Sequence, residues 1–191
     1  MSCICALPET PQSSDVMLRQ IANNARNIYA SRASSAWLFG YTIKSLRHPM
    51  AHLLVTGGCG YIGAHTCVAL LTAGHQVTAF DNLSNSRRDV VDRISEITRH
   101  ALSFVEGDVR DADLLRRVFS ENEIDAVIHF AGLKAVGESV SQPLRYYEWN
   151  VAGTITLCQA MADANVKTLI FSSSATVYGD PATVPITGST L

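Results

Sequence analysis

From residue 52 onward, short apolar runs alternate with segments of helical periodicity. The runs typical of buried strands are 53–55, 76–80, 102–105, 125–130 and 167–172, and the segments with helical spacing are 62–73, 87–100, 111–120 and 143–162. Strands separated by helices, with connections of this length, indicate a parallel sheet covered by helices on both faces. We therefore predict an α/β fold with a doubly wound parallel sheet of the Rossmann-like type.

Two of the helical segments carry apolar stripes that predict their buried faces. The stripe on 87–100 consists of Val90, Val91, Ile94 and Ile97. The stripe on 143–162, a segment that begins with a proline in a first-turn position, consists of Leu144, Tyr147, Val151, Ile155 and Cys158. We expect both stripes to pack against the sheet.

A glycine-rich turn joins the first predicted strand to the first predicted helix. Residues 56–63 read TGGCGYIG, with glycines at 57, 60 and 63. Gly57 permits a tight turn, Gly60 lets the backbone approach a pyrophosphate, and Gly63 allows close packing of the helix. The start of that helix presents free N–H groups and the positive end of the helix dipole to the same anion. The turn therefore predicts a dinucleotide-binding site.

The second predicted strand ends at an acidic residue. Asp81 lies eighteen residues after Gly63, close to the spacing of about 20 expected for the acid that binds the adenosine ribose. A carboxylate there accepts hydrogen bonds from both ribose hydroxyls and repels a 2′-phosphate, so NAD is favoured over NADP. Arg87 and Arg88 leave two interpretations open: they neutralise a phosphate at the ribose, or they are solvated residues in the first turn of the next helix.

Three further loops follow the carboxyl ends of predicted strands, where this fold binds ligands. Asp108 is placed to hydrogen-bond an adenine amino group, to cap the helix that follows it, or to serve both roles. After the fourth strand, Ala131 and Gly132 permit close approach of a cofactor, and Lys134 either bonds a ribose or nicotinamide or is simply solvated. The fifth strand ends in a cluster of hydroxyl side chains suited to bonding a substrate hydroxyl. Its members are Ser172, Ser173, Ser174, Thr176 and Tyr178.

Composition narrows the class of partner. Apolar residues make up 47% of the 191 residues and charged residues 17%, which is typical of a globular chain and argues against disorder. No apolar run approaches the roughly 18 residues of a membrane-spanning helix. Fifteen Lys and Arg against seventeen Asp and Glu give a formal charge of −2, which argues against a broad nucleic-acid-binding surface. We therefore expect a small-molecule ligand, no membrane and no nucleic acid.

The five cysteines give no sign of a metal site. They show neither paired CxxC spacing nor the nearby histidines of a zinc site. We therefore expect no bound metal, reduced thiols and a cytoplasmic location.

The first 49 residues differ from the rest of the chain. No Asp or Glu occurs between Asp15 and Asp81, whereas basic residues recur up to His48. The segment is interpreted either as an organelle transit peptide or as an extension before a natural start at Met50. We predict a poorly structured or weakly helical leader over 1–49, an NAD-binding domain over 50–180 and a divergent tail over 181–191.

Six blocks of sequence carry a resemblance to a known family. They are TGGCGYIG at 56–63, DNLSNS at 81–86, GDVRD at 107–111, HFAGLKAVGESV at 129–140, NVAGT at 150–154 and FSSSATVYGD at 171–180. With these blocks the chain resembles the amino-terminal half of the UDP-glucose 4-epimerase family, within the extended short-chain dehydrogenase/reductase superfamily. GxxGxxG alone indicates only the superfamily, whereas AGLKAVGESV and SSSATVYG are closer to the epimerases.

The resemblance implies a set of contacts with NAD. The matching positions are Gly57, Gly60, Tyr61, Ile62 and Gly63 at the pyrophosphate, Asp81, Asn82, Leu83, Ser84, Asn85 and Ser86 at the adenosine ribose, Asp108 and Val109 at the adenine, Phe130, Ala131, Gly132, Leu133 and Lys134 along the cofactor, and Asn150 at the superfamily's asparagine. Ser174 resembles the serine that hydrogen-bonds the reacting hexose hydroxyl. The implied reaction removes a hydride from C4 of a UDP-hexose and returns it to the opposite face after the 4-keto sugar has rotated.

The family's base is a tyrosine in a YxxxK motif, with a pKa lowered by the lysine and by the cofactor charge. The residues four places before the three lysines, Lys44, Lys134 and Lys167, are glycine, phenylalanine and aspartate, so the motif is absent. We therefore expect a chain truncated before the substrate-binding region and inactive as an epimerase. Two alternatives stay open, a non-catalytic NAD-binding module and a related NAD-dependent sugar-nucleotide dehydratase. A UDP-hexose is the implied partner, and the family's homodimer is left open for a chain of this extent.

Overall fold

The computed structural model describes residues 50–173. Its strands are β1 (His52–Thr56), β2 (Gln76–Asp81), β3 (Ser103–Glu106), β4 (Ala126–His129) and β5 (Leu169–Phe171). All four neighbouring pairs are parallel, and the strands follow the order β3-β2-β1-β4-β5 across the sheet. The predicted doubly wound parallel sheet is therefore confirmed.

Helices connect the strands and cover the sheet. They are α1 (Tyr61–Thr72), α2 (Asp89–Thr98), α3 (Ala112–Glu121), α4 (Val136–Ser141), α5 (Pro143–Tyr146), a π-helical segment (Tyr147–Ala152) and α6 (Gly153–Asp163). The backbone explains two of their ends. Beyond α1, Gly74 takes a left-handed φ of 88°. At the start of α3, the Asp111 carboxylate accepts a hydrogen bond from the Leu114 N–H.

Two apolar layers hold the sheet, one on each face. In the first layer, buried residues of the strands pack against α1 and α2, including Leu53, Val55, Ala79, Ile128, Leu70 and Ile94. In the second layer they pack against α3 and α6, including Leu54, Phe80, Val127, Leu115, Val118 and Leu157. Alternate residues of β1 therefore serve opposite layers, which is why 53–55 is apolar without interruption.

The strand order places a ligand crevice at the centre of the sheet. The crossover from β1 runs to β2 on one side, and β4 returns to the opposite side of β1. Connections on the two sides of such a switch point diverge and leave space beyond the carboxyl ends of the strands.

The predicted burial of two apolar stripes is partly wrong. On α2, Val91 and Ile94 are buried, but Ile97 is 69% exposed. Along 143–162, the predicted inward residues point to solvent in the described structure: Leu144, Tyr147, Val151, Ile155 and Cys158 are all exposed.

The error in the second stripe has two physical causes. Helix α6 is apolar on more than one side, and the side that packs on the sheet consists of Gly153, Leu157, Ala160 and Met161. In addition, the hydrogen bonds of the π-helical segment span five residues instead of four, which rotates the faces of α5 and α6 relative to each other. A single α-helical period cannot describe the whole segment.

Several predictions lie outside the described residues. These are the leader over 1–49, the end of the domain beyond 173, the tail over 181–191, and the positions of Ser174, Thr176 and Tyr178. Within 50–173, the structure contains no helix with the length and apolar character needed to cross a membrane.

Candidate cofactor-binding site

A cleft opens where the first four strands end. Most predicted contact residues line it: Gly57, Gly60, Tyr61, Ile62, Gly63, Asp81, Asn82, Ser84, Asn85, Val109, Phe130, Ala131, Gly132, Leu133 and Lys134. Four predicted residues do not line it, namely Leu83, Ser86, Asp108 and Asn150. With Ser172, which also lines the cleft, the fold gathers residues that lie as far as 115 positions apart (57 to 172) in one place.

The glycine turn has the tight geometry that its sequence predicts. Gly57 has φ +68°, and its N–H donates to the Phe80 carbonyl at 2.8 Å. A Cβ on Gly57 would lie 2.8 Å from the Ala131 nitrogen, so a side chain there would collide with the loop after β4. A Cβ on Gly63 would lie 2.1 Å from the Gly57 carbonyl oxygen, which shows that Gly63 packs α1 against the turn itself.

The start of α1 offers backbone donors to the cleft. The Gly60 N–H donates to the Gly57 carbonyl at 3.1 Å, and the Ala64 N–H donates to the Gly60 carbonyl at 2.8 Å. Residues 61–63 between them occupy the first turn, whose N–H groups have no partner inside the helix. Among the described residues, no side chain caps this start. Unpaired N–H groups at a helix start are a donor set that suits a diphosphate.

Asp81 connects the glycine turn to the loop that follows β2. Its Oδ2 accepts from the Cys59 N–H at 3.0 Å. Its Oδ1 accepts from the Leu83 N–H at 2.9 Å and from the Ser86 hydroxyl at 2.8 Å. A carboxylate has about four acceptor positions, so these bonds within the described structure leave one on Oδ2. The structure therefore has room for one ribose hydroxyl at Asp81 rather than the two that the sequence predicted.

Leu83 and Ser86 support Asp81 instead of lining the cleft. Leu83 has φ +55°, in the left-handed region that a leucine seldom adopts, and its side chain packs against the first apolar layer. This turn points the Leu83 N–H at the Asp81 carboxylate. Both residues therefore fix the position of the Asp81 carboxylate without lining the cleft themselves.

Asp108 is occupied by its neighbours. Its carboxylate accepts three hydrogen bonds from Arg110 at 2.9 Å each, and a fourth from the Asn82 amide at 3.0 Å. These bonds, led by the Arg110 side chain, lower the pKa of Asp108 to about 2. All of its acceptor positions are then filled, which argues against a hydrogen bond from an adenine amino group to this carboxylate. The alternative prediction, a helix cap, is wrong because Asp111 caps α3.

The arginine pair after β2 is engaged away from the cleft. The Arg87 guanidinium pairs with Asp89 at 3.0 Å, and both side chains are exposed. The Arg88 guanidinium lies 4.5 Å from the centre of the Phe104 ring and 3.7 Å from the Glu106 carboxylate. This geometry favours the interpretation of both arginines as solvated residues at the start of α2.

Asn150 lies in the π-helical segment and clamps the loop after β4. Its Oδ1 accepts from the Leu133 N–H at 2.7 Å, and its amide donates to the Leu133 carbonyl at 2.9 Å. Short π-helical insertions occur frequently at functional sites, and here the insertion sets the side chain that fixes the loop. Partial desolvation lowers the pKa of Lys134 in the same loop.

The sequence prediction missed three residues of the cleft, Phe80, Gly107 and Trp149, whereas Ser172, which also lines it, belongs to the predicted hydroxyl cluster. Gly107 directly follows β3, so its position was a usable signal. Trp149 gave no such signal, because it reaches the cleft from a helix. The Arg110 guanidinium stacks 4.1 Å from the centre of its ring, which fixes the indole at the cleft.

The fold and this cleft define a dinucleotide-binding protein of the doubly wound class. The model of the NAD-dependent epimerase/dehydratase family matches residues 53–191. The chain therefore belongs to that family. Within it, the chain resembles the amino-terminal portion of UDP-glucose 4-epimerases, as its motifs indicated.

Two curated relatives illustrate the similarity. The UDP-glucose 4-epimerase of Neisseria meningitidis serogroup A is 56% identical over 138 residues, which cover 72% of this chain and 41% of that protein. The UDP-glucose 4-epimerase of Bacillus subtilis is 58% identical over 135 residues, which cover 71% of this chain and 40% of that protein. The chain thus spans about two fifths of the length of these relatives.

Solved structures show the same similarity. The UDP-glucose 4-epimerase of Bifidobacterium longum, in complex with NAD⁺ and UDP, has a TM-score of 0.70 and 51% identity, over 73% of this chain and 42% of that one. The enzyme of Stenotrophomonas maltophila, with bound NAD and formylated UDP-arabinopyranose, has a TM-score of 0.69 and 50% identity, over 73% and 41%.

Proposed function

We propose that this chain binds NAD in the cleft at the carboxyl ends of β1 to β4. The observation that carries the proposal is the glycine turn, whose open side faces a helix start without a side-chain cap. At Gly60 a Cβ would meet only the Gly57 carbonyl oxygen, at 3.2 Å, so the space beside this residue is open among the described atoms. The donor set and this open cradle fit a pyrophosphate.

The residues of the cleft take distinct roles in the proposal. Gly57, Gly60, Tyr61, Ile62 and Gly63 hold the pyrophosphate, Asp81, Asn82, Ser84 and Asn85 hold the adenosine ribose, Val109 contacts the adenine, and Phe130, Ala131, Gly132, Leu133 and Lys134 follow the rest of the cofactor. Leu83, Ser86, Asp108 and Asn150 act through these residues. The Leu83 N–H and the Ser86 hydroxyl donate to the Asp81 carboxylate, the Asp108 carboxylate accepts from the Asn82 amide, and the Asn150 side chain accepts from the Leu133 N–H. The charge of Asp81 excludes a 2′-phosphate, so NAD is preferred over NADP.

We infer further that the chain is the cofactor-binding portion of a UDP-hexose 4-epimerase. Its 53–58% identity to curated epimerases supports this activity class for the whole protein. When bound, NAD supplies the acceptance and return of a hydride at a sugar carbon. This chain's own residues bind and orient the cofactor, and Ser174, outside the described residues, is proposed to hydrogen-bond the hexose hydroxyl.

The chain by itself is proposed to bind NAD without turning over substrate. Its lysines do not form the YxxxK motif that supplies the family's base, and a serine alone is too weak an acid to replace a tyrosine near neutral pH. A UDP-hexose is then a partner of the whole enzyme, and a homodimer is left to the whole enzyme as well. The buried thiols of Cys59 and Cys67, both free, support a cytoplasmic location.

A second candidate function is a non-catalytic NAD-binding module. The observation that favours it is a complete glycine turn and acid in a chain without the base. A sugar-nucleotide dehydratase is less well supported, because it needs an acidic residue near the hydroxyl cluster, and 172–179 contains none.

Thermal unfolding with and without dinucleotide tests the proposed binding. Millimolar NAD should raise the Tm of the chain, and NADP should raise it much less. Asp81→Asn should reduce the NAD effect, whereas Asp89→Asn, an acid paired with Arg87 and Arg93 at the start of α2, should leave it unchanged. Absence of any shift with NAD would overturn the proposal. An assay with UDP-galactose then separates the functions, because turnover by this chain would contradict the inactive-portion proposal.

A further inference from the structure

A buried histidine stands directly before the cofactor loop and is not used by the proposed chemistry. His129 is the last residue of β4 and is 2% exposed. Both of its ring nitrogens are hydrogen-bonded: Nδ1 lies 2.6 Å from the Thr56 hydroxyl oxygen, and Nε2 lies 3.0 Å from the Thr154 hydroxyl oxygen. Thr56 ends β1 and Thr154 lies in the first turn of α6, so one imidazole joins three elements.

The surrounding donors fix the tautomer of this ring. The Thr154 hydroxyl donates its single hydrogen to the Asn150 carbonyl at 2.6 Å, so it can only accept from His129. Nε2 therefore carries the hydrogen, and in a neutral ring Nδ1 is an acceptor. The Thr56 hydroxyl then donates to Nδ1 while it accepts from the Ala131 N–H at 3.4 Å.

These hydrogen bonds form one continuous series in which every donor points the same way. It runs from the Ala131 N–H through Thr56, His129 and Thr154 to the carbonyl of Asn150. Each hydroxyl accepts on one side and donates on the other, and the imidazole does the same. Reversing the tautomer would leave at least one of these groups facing a partner of the same kind, which costs free energy at a buried ring.

The series of hydrogen bonds ends at the same loop in which it starts. The side chain of Asn150 holds both the N–H and the carbonyl of Leu133, at 2.7 and 2.9 Å. Ala131 and Leu133 flank Gly132, and all three residues line the cleft. The loop is thus fixed at two points by one connected set of bonds that passes through His129.

Burial and charge keep the ring in the neutral form that this arrangement needs. Desolvation, assisted by the nearby charge of Lys134, lowers the pKa of His129 to about 4. The Phe171 ring packs against the imidazole, with 5.6 Å between ring centres. No proton is therefore added to the ring near neutral pH.

We propose that His129 is a positioning residue, held as the Nε2–H tautomer, that couples the position of Asn150 to the shape of the cofactor loop over 131–133. The proposal rests on the proposed binding of NAD at this loop. Its consequence is that removing the hydrogen bonds of either threonine displaces the Asn150 clamp on Leu133 and weakens NAD binding. Neither threonine lines the cleft beside the glycine turn.

Threonine variants of the full chain test the coupling. Thr154→Val and Thr56→Val keep the side-chain shape but remove one hydroxyl each, and we expect each to weaken NAD binding by about tenfold and to shift the Leu133 amide resonance. Thr154→Ser should restore both readouts. Thr156→Val is the matched control, because the Thr156 hydroxyl likewise donates to the carbonyl four residues earlier, that of Ala152, at 3.0 Å. Wild-type affinity and an unmoved Leu133 resonance in Thr154→Val would overturn the proposal.

The tautomer is measured separately, by ¹⁵N resonances of the histidine ring in the wild-type chain. We expect Nδ1 to show the shift of an unprotonated nitrogen and Nε2 that of a protonated one. The opposite pattern would overturn the proposal. Neither this readout nor the Leu133 resonance needs NAD. A wild-type chain that fails to bind NAD would therefore refute the proposed function while the coupling is still decided by the resonances.

Discussion

The buried imidazole of His129 makes folding stability depend on pH in a calculable way. Its pKa is about 4 in the folded chain and 6.5 in the unfolded chain. Well above pH 6.5 neither state binds a proton at this ring, so its contribution to stability is at its full value there. As the pH falls from 6.5 towards 4, the unfolded chain takes up a proton that the folded chain refuses, and the free energy of unfolding decreases.

The size of the effect follows from the two values. At about pH 4.5 the loss is about 2–3 kcal/mol, and well below pH 4 it levels off at about 3–4 kcal/mol. Urea denaturation of the chain without NAD, at about pH 7 and about pH 4.5, measures it. Other groups titrate in the same interval, so the comparison is with His129→Gln, which should lose about 2–3 kcal/mol less between the two pH values.

An exposed histidine provides the control for this measurement. His100→Gln, at the solvent-exposed end after α2, should keep the pH dependence of the wild type. Equal losses in the wild type and His129→Gln would refute the reasoning. If His129→Gln does not fold, an NMR titration of the wild-type ring decides instead, because a midpoint near 6.5 would contradict the buried neutral imidazole.

Three further predictions concern the glycine turn, the acid after β2 and the exposed helix face. Gly63→Ala should destabilise the chain by at least about 1–3 kcal/mol and abolish the Tm increase with NAD, because its Cβ would lie 2.1 Å from a carbonyl oxygen; Gly137→Ala, whose Cβ would meet no described atom within 4 Å, should fold and bind as the wild type does in the same thermal assay. Asp81→Asn should cost about 1–3 kcal/mol in urea denaturation even without NAD, because an amide cannot accept on both sides and leaves a buried N–H unpaired; an unchanged midpoint would contradict the hydrogen bonds at this acid. We expect the wild-type chain to self-associate through exposed apolar side chains such as Leu144 and Ile155. Leu144→Glu with Ile155→Glu should reduce this self-association in size-exclusion chromatography. A wild-type chain that elutes as a stable monomer would contradict the prediction.

The sheet and the glycine turn were predictable because local sequence determines them. A continuous apolar run such as 53–55 has to be buried on both sides, and that burial requires a strand covered by two layers. The turn at Gly57 needs a left-handed φ, which restricts the residue at that position. Both signals lie within a few residues of the feature that they predict.

The buried face of α6 and the contacts of Asp108 were not predictable in the same way. Helix α6 offers apolar residues on several sides, and only the packed structure shows that Leu157 faces the sheet while Ile155 faces solvent. Asp108 loses its predicted contact because Arg110, two residues later, folds back and fills its carboxylate. The sequence predicts neither the buried face of α6 nor the Arg110 contact, because both depend on which side chains the folded structure brings together.

The role of His129 was not predictable from the sequence either, because its partners lie far away along the chain. Its role depends on Thr56, 73 residues earlier, and on Thr154, 25 residues later. No spacing rule connects these residues. Their relation follows from the parallel pairing of β1 with β4 and from the passage of α6 across the sheet.

The most direct test of the account is an NMR titration of the ¹⁵N-labelled chain with NAD. Binding in the cleft predicts that the largest amide shifts fall on 57–63, on 81–85 and on 130–134, three segments that meet only in the folded structure. NADP at the same concentration should produce much smaller shifts, because of the Asp81 carboxylate. Absence of shifts with NAD, or shifts confined to the opposite end of the sheet around 119–124, would contradict the central claim.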